Sequence, residues 1–304
     1  MIGITGATGL VGQALAKKLT QQGEQIVAFT RDPSRAPSAL RPFARPWPPT
    51  SPLGLNAIVN LLGEPVSGRW TTAKKKAIHN SRIEGTKRLV EAIAKEPEES
   101  RPKVLVSASA IGFYGDRGSE ELREDSSSGS DFLARVCVDW EHEARAAESL
   151  GVRVVNLRIG LVMSPEGGAL QSMLPLFKLG LGGAMGGGEQ YWPFIHLDDL
   201  IAMIDFAIRE PITGPLNATA PHPVPQAEFA KTLAHVLHRP AFLPAPAFAL
   251  RGVLGEFAFE LLASRRVLPK KALDLGFTFR FADLEACLAD ATHPDSSTAP
   301  RAAD

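Results

Sequence analysis

The chain has 304 residues, 44% of them hydrophobic, and 33 Lys plus Arg stand against 33 Asp plus Glu. That length admits one large α/β domain or one domain with a smaller appendage. The balanced charge supplies no global field for nucleic acid or an anionic membrane. Two cysteines, Cys137 and Cys287, lie far apart in no metal-ligand spacing, so reduced thiols are expected, with no metal and no disulfide framework.

Met1 leads directly into an apolar strand pattern, "MIGIT", without a basic leader region. No run reaches the roughly 18 apolar residues of a membrane span. A cytoplasmic, soluble protein is expected. "VGQALAKKLTQQG" then reads as a helix and "QIVAFT" as a second strand. "RDPSRAPSALRPFARPWPPTSPLG" is rich in Pro and Ser and reads as an irregular connection replacing a helix. "AIVNLLG", the helix-like "SRIEGTKRLVEAIAKE", "KVLVSASA", the helix-like "DFLARVCVDWEHEARAAESLG" and "VRVVNLRIG" follow. Apolar runs of four to six residues without alternation suit strands buried on both faces. The expected fold is therefore α/β, a Rossmann-type doubly wound parallel sheet with a smaller, mostly helical C-terminal region.

After about residue 165 the pattern loosens. "SPEGGALQSMLPLFKLGLGGAMGGGEQYWPFIH" is glycine-rich and reads as a site-covering segment, and "HLDDLIAMIDFAIRE" as a helix returning to the sheet. The expected division is a cofactor-binding core over residues 1–165, joined again by 196–215, with a substrate-covering region over 166–195 and 216–290. Residues 291–304 are polar and are expected to be a disordered tail.

"ITGATGLVGQAL" spaces Gly6, Gly9 and Gly12 between a strand and a helix. Gly6 allows the tight turn, Gly9 lets backbone N–H groups approach a pyrophosphate, and Gly12 permits close packing of helix on strand. The phosphate would sit at the positive end of a helix beginning near Leu10. At the end of the second strand, an acid would bond the ribose diol of NAD. Thr30 and Arg31 stand there instead, with Arg35 nearby, and a guanidinium suits the 2′-phosphate of NADP. Asp32 weighs against that choice. NADP is the expected cofactor, with NAD second.

"TGATGLVG", "AIVNLLGEP", "SRIEGTKRLVEA", "SASAIGFYGD" and "FIHLDDL", in this order, resemble the extended short-chain dehydrogenase/reductase superfamily. "GEPVSGRW", "FLARVCVDWE", "PLFKLGLGGAMGGGEQYWPFIHLDDL" and "RPAFLPAPAFALRGVLGE…RRVLPKKALDLGFTFRF" are similar to its NAD-dependent epimerase/dehydratase branch of epimerase family proteins, of nucleotide-sugar type. The resemblance covers residues 1 to 290. It implies a Rossmann core and a smaller substrate region, with Gly6, Thr8, Gly9, Leu10, Val11 and Gly12 as the pyrophosphate loop. It also implies Thr30 and Arg31 at the adenosine phosphate, and Leu61, Leu62 and Gly63 along the adenine and ribose. By the same resemblance Arg82 contacts cofactor or a substrate phosphate, and Ser107 and Ser109 lie where the superfamily's catalytic hydroxyl sits, Ser107 counted with the cofactor-binding residues. Arg82 reads alternatively as a surface ion pair with Glu84 or Asp116.

The superfamily's chemistry uses Tyr-x-x-x-Lys on a helix, the cation lowering the phenol's pKa. Only two tyrosines occur; four residues after Tyr114 is Gly118, and four after Tyr191 is Ile195. Aligning "SDFLARVCVDWE" on that helix places Phe132 and Val136 at the two positions, and a one-residue slip places Leu133 and Cys137 there. Neither restores the relay. The expected catalytic pair is then Tyr114 with Ser109, Tyr114 reading equally as a packing residue. Glu141 reads as a helix-surface charge, and His196 as a cap on the following helix or a pocket group. His235 and His238 read as a solvated face, and Trp192 with its glycines as a mobile cover or plain loop. The function these features favour is an NADP-binding, epimerase-like oxidoreductase acting on a small polar, nucleotide-linked substrate. The alternative is a non-catalytic NADP-binding protein that senses redox state for a partner. Oligomeric state stays open.

Overall fold

The computed structural model describes residues 1–50 and 53–292. The elements in chain order are β1 (Ile2–Thr5), α1 (Leu10–Gln21), β2 (Ile26–Thr30), β3 (Ala44–Pro46), β4 (Ala57–Asn60), α2 (Thr72–Ala94) and β5 (Val104–Ala110). Then come β6 (Glu121–Leu122), α3 (Phe132–Arg145), β7 (Arg153–Ile159), β8 (Leu161–Met163), α4 (Gly168–Lys178), β9 (Tyr191–Trp192) and β10 (Phe194–His196). The rest are α5 (Leu197–Arg209), β11 (Gly214–Ala218), β12 (Val224–Pro225), α6 (Gln226–Val236), α7 (Ala247–Leu254), α8 (Ala258–Leu262), β13 (Arg266–Val267), α9 (Lys270–Asp274) and α10 (Leu284–Thr292).

Seven strands form one sheet in the order β11-β7-β5-β4-β1-β2-β3. The pairs β1–β2, β1–β4, β2–β3 and β4–β5 are parallel, with Thr5 opposite both Phe29 and Asn60. The order reverses between β1 and β4, which makes the C-terminal ends of these strands the ligand-binding edge of such a sheet. Among its described residues the Pro-rich connection carries no α-helix, as its composition dictates. Its residues Ala44–Pro46 nevertheless pair with β2, and a proline is tolerated there because β3 is the edge strand.

The chain divides into two compact units. Unit 1 comprises Met1–Phe113, Ser127–Arg158 and Ile201–Leu216. Unit 2 comprises Tyr114–Ser126, Ile159–Leu200 and Asn217–Asp304. This differs from the division expected from sequence: Tyr114–Ser126 joins unit 2, and the first unit's continuous run ends at Arg158. The expected disordered tail falls outside the described residues except for Ala291 and Thr292, which close α10.

Unit 1 packs Ile58, Leu105 and Val154 of the sheet against Leu89 and Ile93 of α2 and Ala144 of α3. α2 starts where Thr71 Oγ1 accepts from Lys74 N at 3.2 Å, and α3 where Asp131 Oδ1 accepts from Ala134 N at 3.0 Å. α3 buries Leu133, Cys137, Trp140, Glu141 and Ala144, one stripe at helical spacing. Unit 2 has its own core, built on Phe177, Trp192, Phe194, Phe229 and Phe281. Trp192 is therefore a core residue and not part of a cover; its Nε1 donates to Leu261 O at 3.3 Å. Gln190 and Gln226 pin the glycine-rich segment, Gln190 Nε2 donating to Met185 O at 2.9 Å and Gln226 Oε1 accepting from Met185 N at 2.7 Å.

Candidate functional site

The head of α1 is built by three glycines with different duties. Gly6 has φ +64°, and a Cβ on it would lie 2.4 Å from Leu61 O. A Cβ on Gly12 would lie 2.5 Å from Gly6 O. These two positions are closed by the protein itself. At Gly9 a Cβ would meet only Gly6 O, at 3.4 Å, so space lies open above the turn. Gly9 is the N-cap of α1 and brings no side-chain acceptor, which leaves the first-turn N–H groups without a side-chain partner. Thr8 and Gly9 are exposed, and Leu10 and Val11 half-buried. This is a pre-formed anion cradle at a positive helix end.

At the end of β2, Thr30 Oγ1 is buried and has no hydrogen-bond partner among the described residues. Buried hydroxyls are nearly always satisfied, so a bound group is wanted there. Arg31 beside it is exposed and has no hydrogen bond or ion pair among the described residues. Asp32, the residue that weighed against a phosphate, caps the next turn: its Oδ1 accepts from Ser34 N at 3.0 Å and Ser34 Oγ at 2.6 Å. The open Gly9, the orphaned Thr30 hydroxyl and the uncommitted Arg31 fit a dinucleotide with an adenosine phosphate.

The end of β4 forms the next wall, where Leu61 and Leu62 are half-buried and Gly63 is exposed. Arg82 is no surface ion pair. Its Nη1 donates to Glu64 O at 3.0 Å and Ile78 O at 3.1 Å, and its guanidinium lies over the Trp140 ring at 5.1 Å. Burial lowers its pKa from the usual arginine value. The Glu64 carboxylate is occupied by Lys74 Nζ at 2.8 Å, whose hydrogen bond holds the Glu64 pKa below its ordinary range. Arg82 Nη2 faces Gly63, 3.0 Å from where a Cβ would stand.

Beneath these ends runs a buried polar network. Thr5 Oγ1 accepts from Leu61 N at 3.1 Å and donates to Asn60 Oδ1 at 2.8 Å. Asn60 Nδ2 donates to Thr86 Oγ1 at 2.9 Å and Ser107 Oγ at 3.1 Å, and Trp140 Nε1 donates to Thr86 Oγ1 at 2.9 Å. Every member is satisfied, which fixes the strand ends relative to α2 and α3. Ser107 belongs to this network, fully buried, and not to a cofactor-facing surface as the resemblance implied. Asn60, Thr86 and Trp140 escaped the sequence reading; a lone Asn ending an otherwise apolar strand was the available signal.

Ser109 also differs from expectation. Its hydroxyl is buried and donates to Glu141 Oε1 at 2.7 Å. Glu141 is no surface charge: Arg158 Nε and Nη2 bind its two oxygens at 2.8 and 3.0 Å, and both side chains are buried. The Arg158 guanidinium also stacks on Phe113 at 3.5 Å. The guanidinium fork meets both carboxylate oxygens, the geometry of a charge-assisted bidentate pair. The single Ser109 proton is thus committed to an anion, and the hydroxyl has none to offer a substrate oxygen.

α3 resolves the alignment that sequence left open. A Cβ on Gly112, just past β5, would lie 3.4 Å from Leu133 Cβ and 3.9 Å from Cys137 Sγ. Leu133 and Cys137 therefore face the end of β5. Phe132 packs elsewhere, edge-on to Trp70 at 5.2 Å with Lys75 Nζ over its ring at 5.2 Å. Cys137 is itself no substitute acid. Burial, and secondarily the charge of Glu141, push its thiol up to about 12. The Tyr and Lys positions are apolar in either register.

Tyr114, in unit 2, is fully buried. Its hydroxyl donates to Asn217 Oδ1 at 2.6 Å and lies 3.0 Å from Arg123 O, while Asn217 Nδ2 donates to Leu268 O at 2.9 Å. This phenol ties Tyr114–Ser126 to the C-terminal segment, and the catalytic assignment gives way to the packing one. His196, also in unit 2, caps α5: its Nδ1 accepts from Asp198 N at 3.1 Å. No group of three His, Cys, Asp or Glu among the described residues could hold a metal, and His235 is exposed beside Glu285 at 3.6 Å.

The family model for the NAD dependent epimerase/dehydratase family matches residues 2–219, and a domain of unknown function, DUF1731, matches residues 245–291. The chain is 41% identical to the Epimerase family protein SDR39U1 homolog, chloroplastic, of Arabidopsis thaliana over 92% of this chain and 83% of that one. It is 38% identical to the Epimerase family protein YfhF of Bacillus subtilis over 94% and 96%. Among solved structures, human epimerase family protein SDR39U1 (isoform 2) with NADPH superposes with a TM-score of 0.85 at 32% identity, covering 96% of this chain and 99% of the human one. No helix among the described residues is long and apolar enough to cross a membrane.

Proposed function

Since this chain belongs to the NAD dependent epimerase/dehydratase family, we propose that its unit 1 binds NADP(H) and that the protein works through cofactor occupancy, without the superfamily's proton relay. One juxtaposition carries this reading. The sheet edge keeps an open anion cradle at Gly9, while the groups beside the end of β5 are Leu133, Cys137 and a Ser109 whose proton belongs to Glu141. Binding equipment is intact and proton-transfer equipment is missing.

The N–H groups from Leu10 to Gly12 would hold the pyrophosphate, Thr30 and Arg31 the adenosine 2′-phosphate, Leu61 to Gly63 the adenine and ribose side, and Arg82 a further anionic oxygen. The human relative crystallised with NADPH supports the choice of the phosphorylated cofactor. NADP(H) supplies a transferable hydride when bound. Turnover of a small polar, nucleotide-linked substrate would also need a proton donor, and neither Tyr114 nor Ser109 is available for that work.

Calorimetric titration with NADPH and NADH tests the reading. NADPH should bind more tightly, by about ten- to a hundredfold for one charge-assisted phosphate contact. Gly9→Val should abolish binding and leave the circular dichroism spectrum unchanged, because its side chain fills the space meant for phosphate. Failure of the unmodified chain to bind either dinucleotide would remove cofactor binding altogether. Tight NADPH binding with rapid single-turnover oxidation by any member of a carbonyl and nucleotide-sugar panel would overturn the occupancy reading alone.

A further inference from the structure

Four polar side chains stand in one row across four adjacent strands of unit 1. Thr5 of β1 lies opposite Asn60 of β4, and Asn60 lies opposite Ser107 of β5. β7 comes next in the sheet. Two observations put its Asn156 in the same row. Val154 packs with Leu105 in one core cluster, and Arg158 and Ser109 bind the same carboxylate, that of Glu141. Alternate residues of a strand share a face. Ser107 and Asn156, each midway between those two pairs, therefore face the same way on neighbouring strands about 4.8 Å apart.

The first three members are joined directly. Thr5 Oγ1 donates to Asn60 Oδ1 at 2.8 Å, and Asn60 Nδ2 to Ser107 Oγ at 3.1 Å. There the direct bonds stop. Asn156 is only 1% exposed, yet neither its Nδ2 nor its Oδ1 has a hydrogen-bond partner among the described residues. Ser107 Oγ accepts from Asn60 and can still donate its own proton. A buried amide with both its donor and its acceptor stranded is costly, and native proteins satisfy such groups with a bound molecule.

The surroundings narrow the class of that molecule. It both donates and accepts, because Asn156 presents one group of each kind. It is neutral, because the Arg158 guanidinium beyond Asn156 is already paired with Glu141 through two hydrogen bonds. It is small, because Asn60 and Ser107 are fully buried too. Water meets all three conditions, and an internal water makes about two to four bonds of this kind. We propose that unit 1 binds internal water between Ser107 and Asn156. One molecule accepts the Ser107 proton and donates to Asn156 Oδ1, and a second takes the proton of Asn156 Nδ2. Hydrogen bonds then run unbroken from β1 to β7. The strand that carries Arg158 is thereby tied to the one whose Thr5 accepts from Leu61 N. The inference stands apart from the cofactor reading, since neither Ser107 nor Asn156 is asked to touch the dinucleotide.

A crystal structure of the full chain that resolves ordered water tests it. Solvent density should lie within about 3.2 Å of both Ser107 Oγ and the Asn156 amide. In solution, oxygen-17 relaxation dispersion should detect long-lived internal water. Asn156→Leu places an apolar side chain of similar size in the row, so it should remove the density and lower the dispersion amplitude. Ser107→Ala removes the other anchor and should displace the bridging molecule, which keeps the test open where Asn156→Leu fails to fold. Circular dichroism spectra matching the unmodified chain establish that a variant is folded. No density between the two residues overturns the proposal, as does a direct hydrogen bond from Ser107 to the Asn156 amide. A coordinated ion in that place, or a dispersion amplitude that neither variant changes, overturns it as well.

Discussion

Tyr114→Phe separates a structural phenol from a catalytic one. The substitution removes one oxygen and opens no cavity of consequence, so its cost is that of a lost buried hydrogen bond. The hydroxyl donates at 2.6 Å to Asn217 Oδ1, and Asn217 is itself fully buried. After the change that amide oxygen has no water to turn to. A buried acceptor stripped of its donor costs about 1–3 kcal/mol. In a chain of this size each kcal/mol lowers Tm by about 2–4 °C, so a fall of about 2–12 °C is expected. Thermal unfolding followed by circular dichroism measures it, alongside NADPH titration, which should not move. Removing both partners costs less than stranding one, so Tyr114→Phe with Asn217→Leu should be less destabilising than the sum of the single changes. An unchanged Tm for Tyr114→Phe, or NADPH affinity reduced tenfold or more, would refute the structural assignment.

Arg31→Asp should erase the preference for NADPH over NADH and leave NADH affinity nearly intact, as two calorimetric titrations would reveal. Glu141→Gln should destabilise the protein by about 3–5 kcal/mol by leaving the buried Arg158 guanidinium without its anion, and urea denaturation would measure the loss. His196 is held neutral: burial lowers its pKa from the ordinary histidine range against the pull of Asp198, Asp290 and Asp199. The unfolded chain therefore protonates first, near pH 6.5, and the stability present above that pH drains away as pH falls toward the lowered folded value. His196→Asn keeps an acceptor for Asp198 N, so its Tm measured across that window should fall less steeply than that of the unmodified chain.

The glycine turn at the head of α1 was legible because its signals are local. Gly6, Gly9 and Gly12 act through backbone geometry within one strand, turn and helix, and a chain read in order contains all three. The second strand's Thr30 and Arg31 are likewise placed by counting to the end of an apolar run. What escaped depends on contacts between segments distant in sequence. Glu141 reads as a surface charge when taken alone. Its phase says otherwise: it stands eight residues after Leu133 and four after Cys137, on the stripe that α3 buries. Arg158 stands next to last in a strand seventeen residues later, and only the sheet reveals that it reaches Glu141. Tyr114 misled for a related reason. Its motif lies just past the end of β5, where ligand-binding groups gather, yet its hydroxyl partner is Asn217, 103 residues away.

The Glu141–Arg158 pair also bears on why a proton relay cannot be recovered here by restoring the dyad alone. Suppose Leu133→Tyr and Cys137→Lys were made together, at the two positions that face Gly112 and the end of β5. The new ammonium would enter a buried site one helical turn from Glu141, whose carboxylate already binds Arg158 through both oxygens and Ser109 through one. A lysine there would be drawn to that carboxylate and not to the phenol, and a second buried cation beside Arg158 would be repelled. Ser109 would still direct its only proton to Glu141, so the substrate oxygen would lack the donor that the superfamily's serine provides. The inherited dyad and the Glu141–Arg158 pair are competing solutions for one volume beneath the end of β5. This chain has adopted the second, an ion pair whose bonds to Ser109 and between Glu141 and Arg158 tie β5, α3 and β7 together beneath that end.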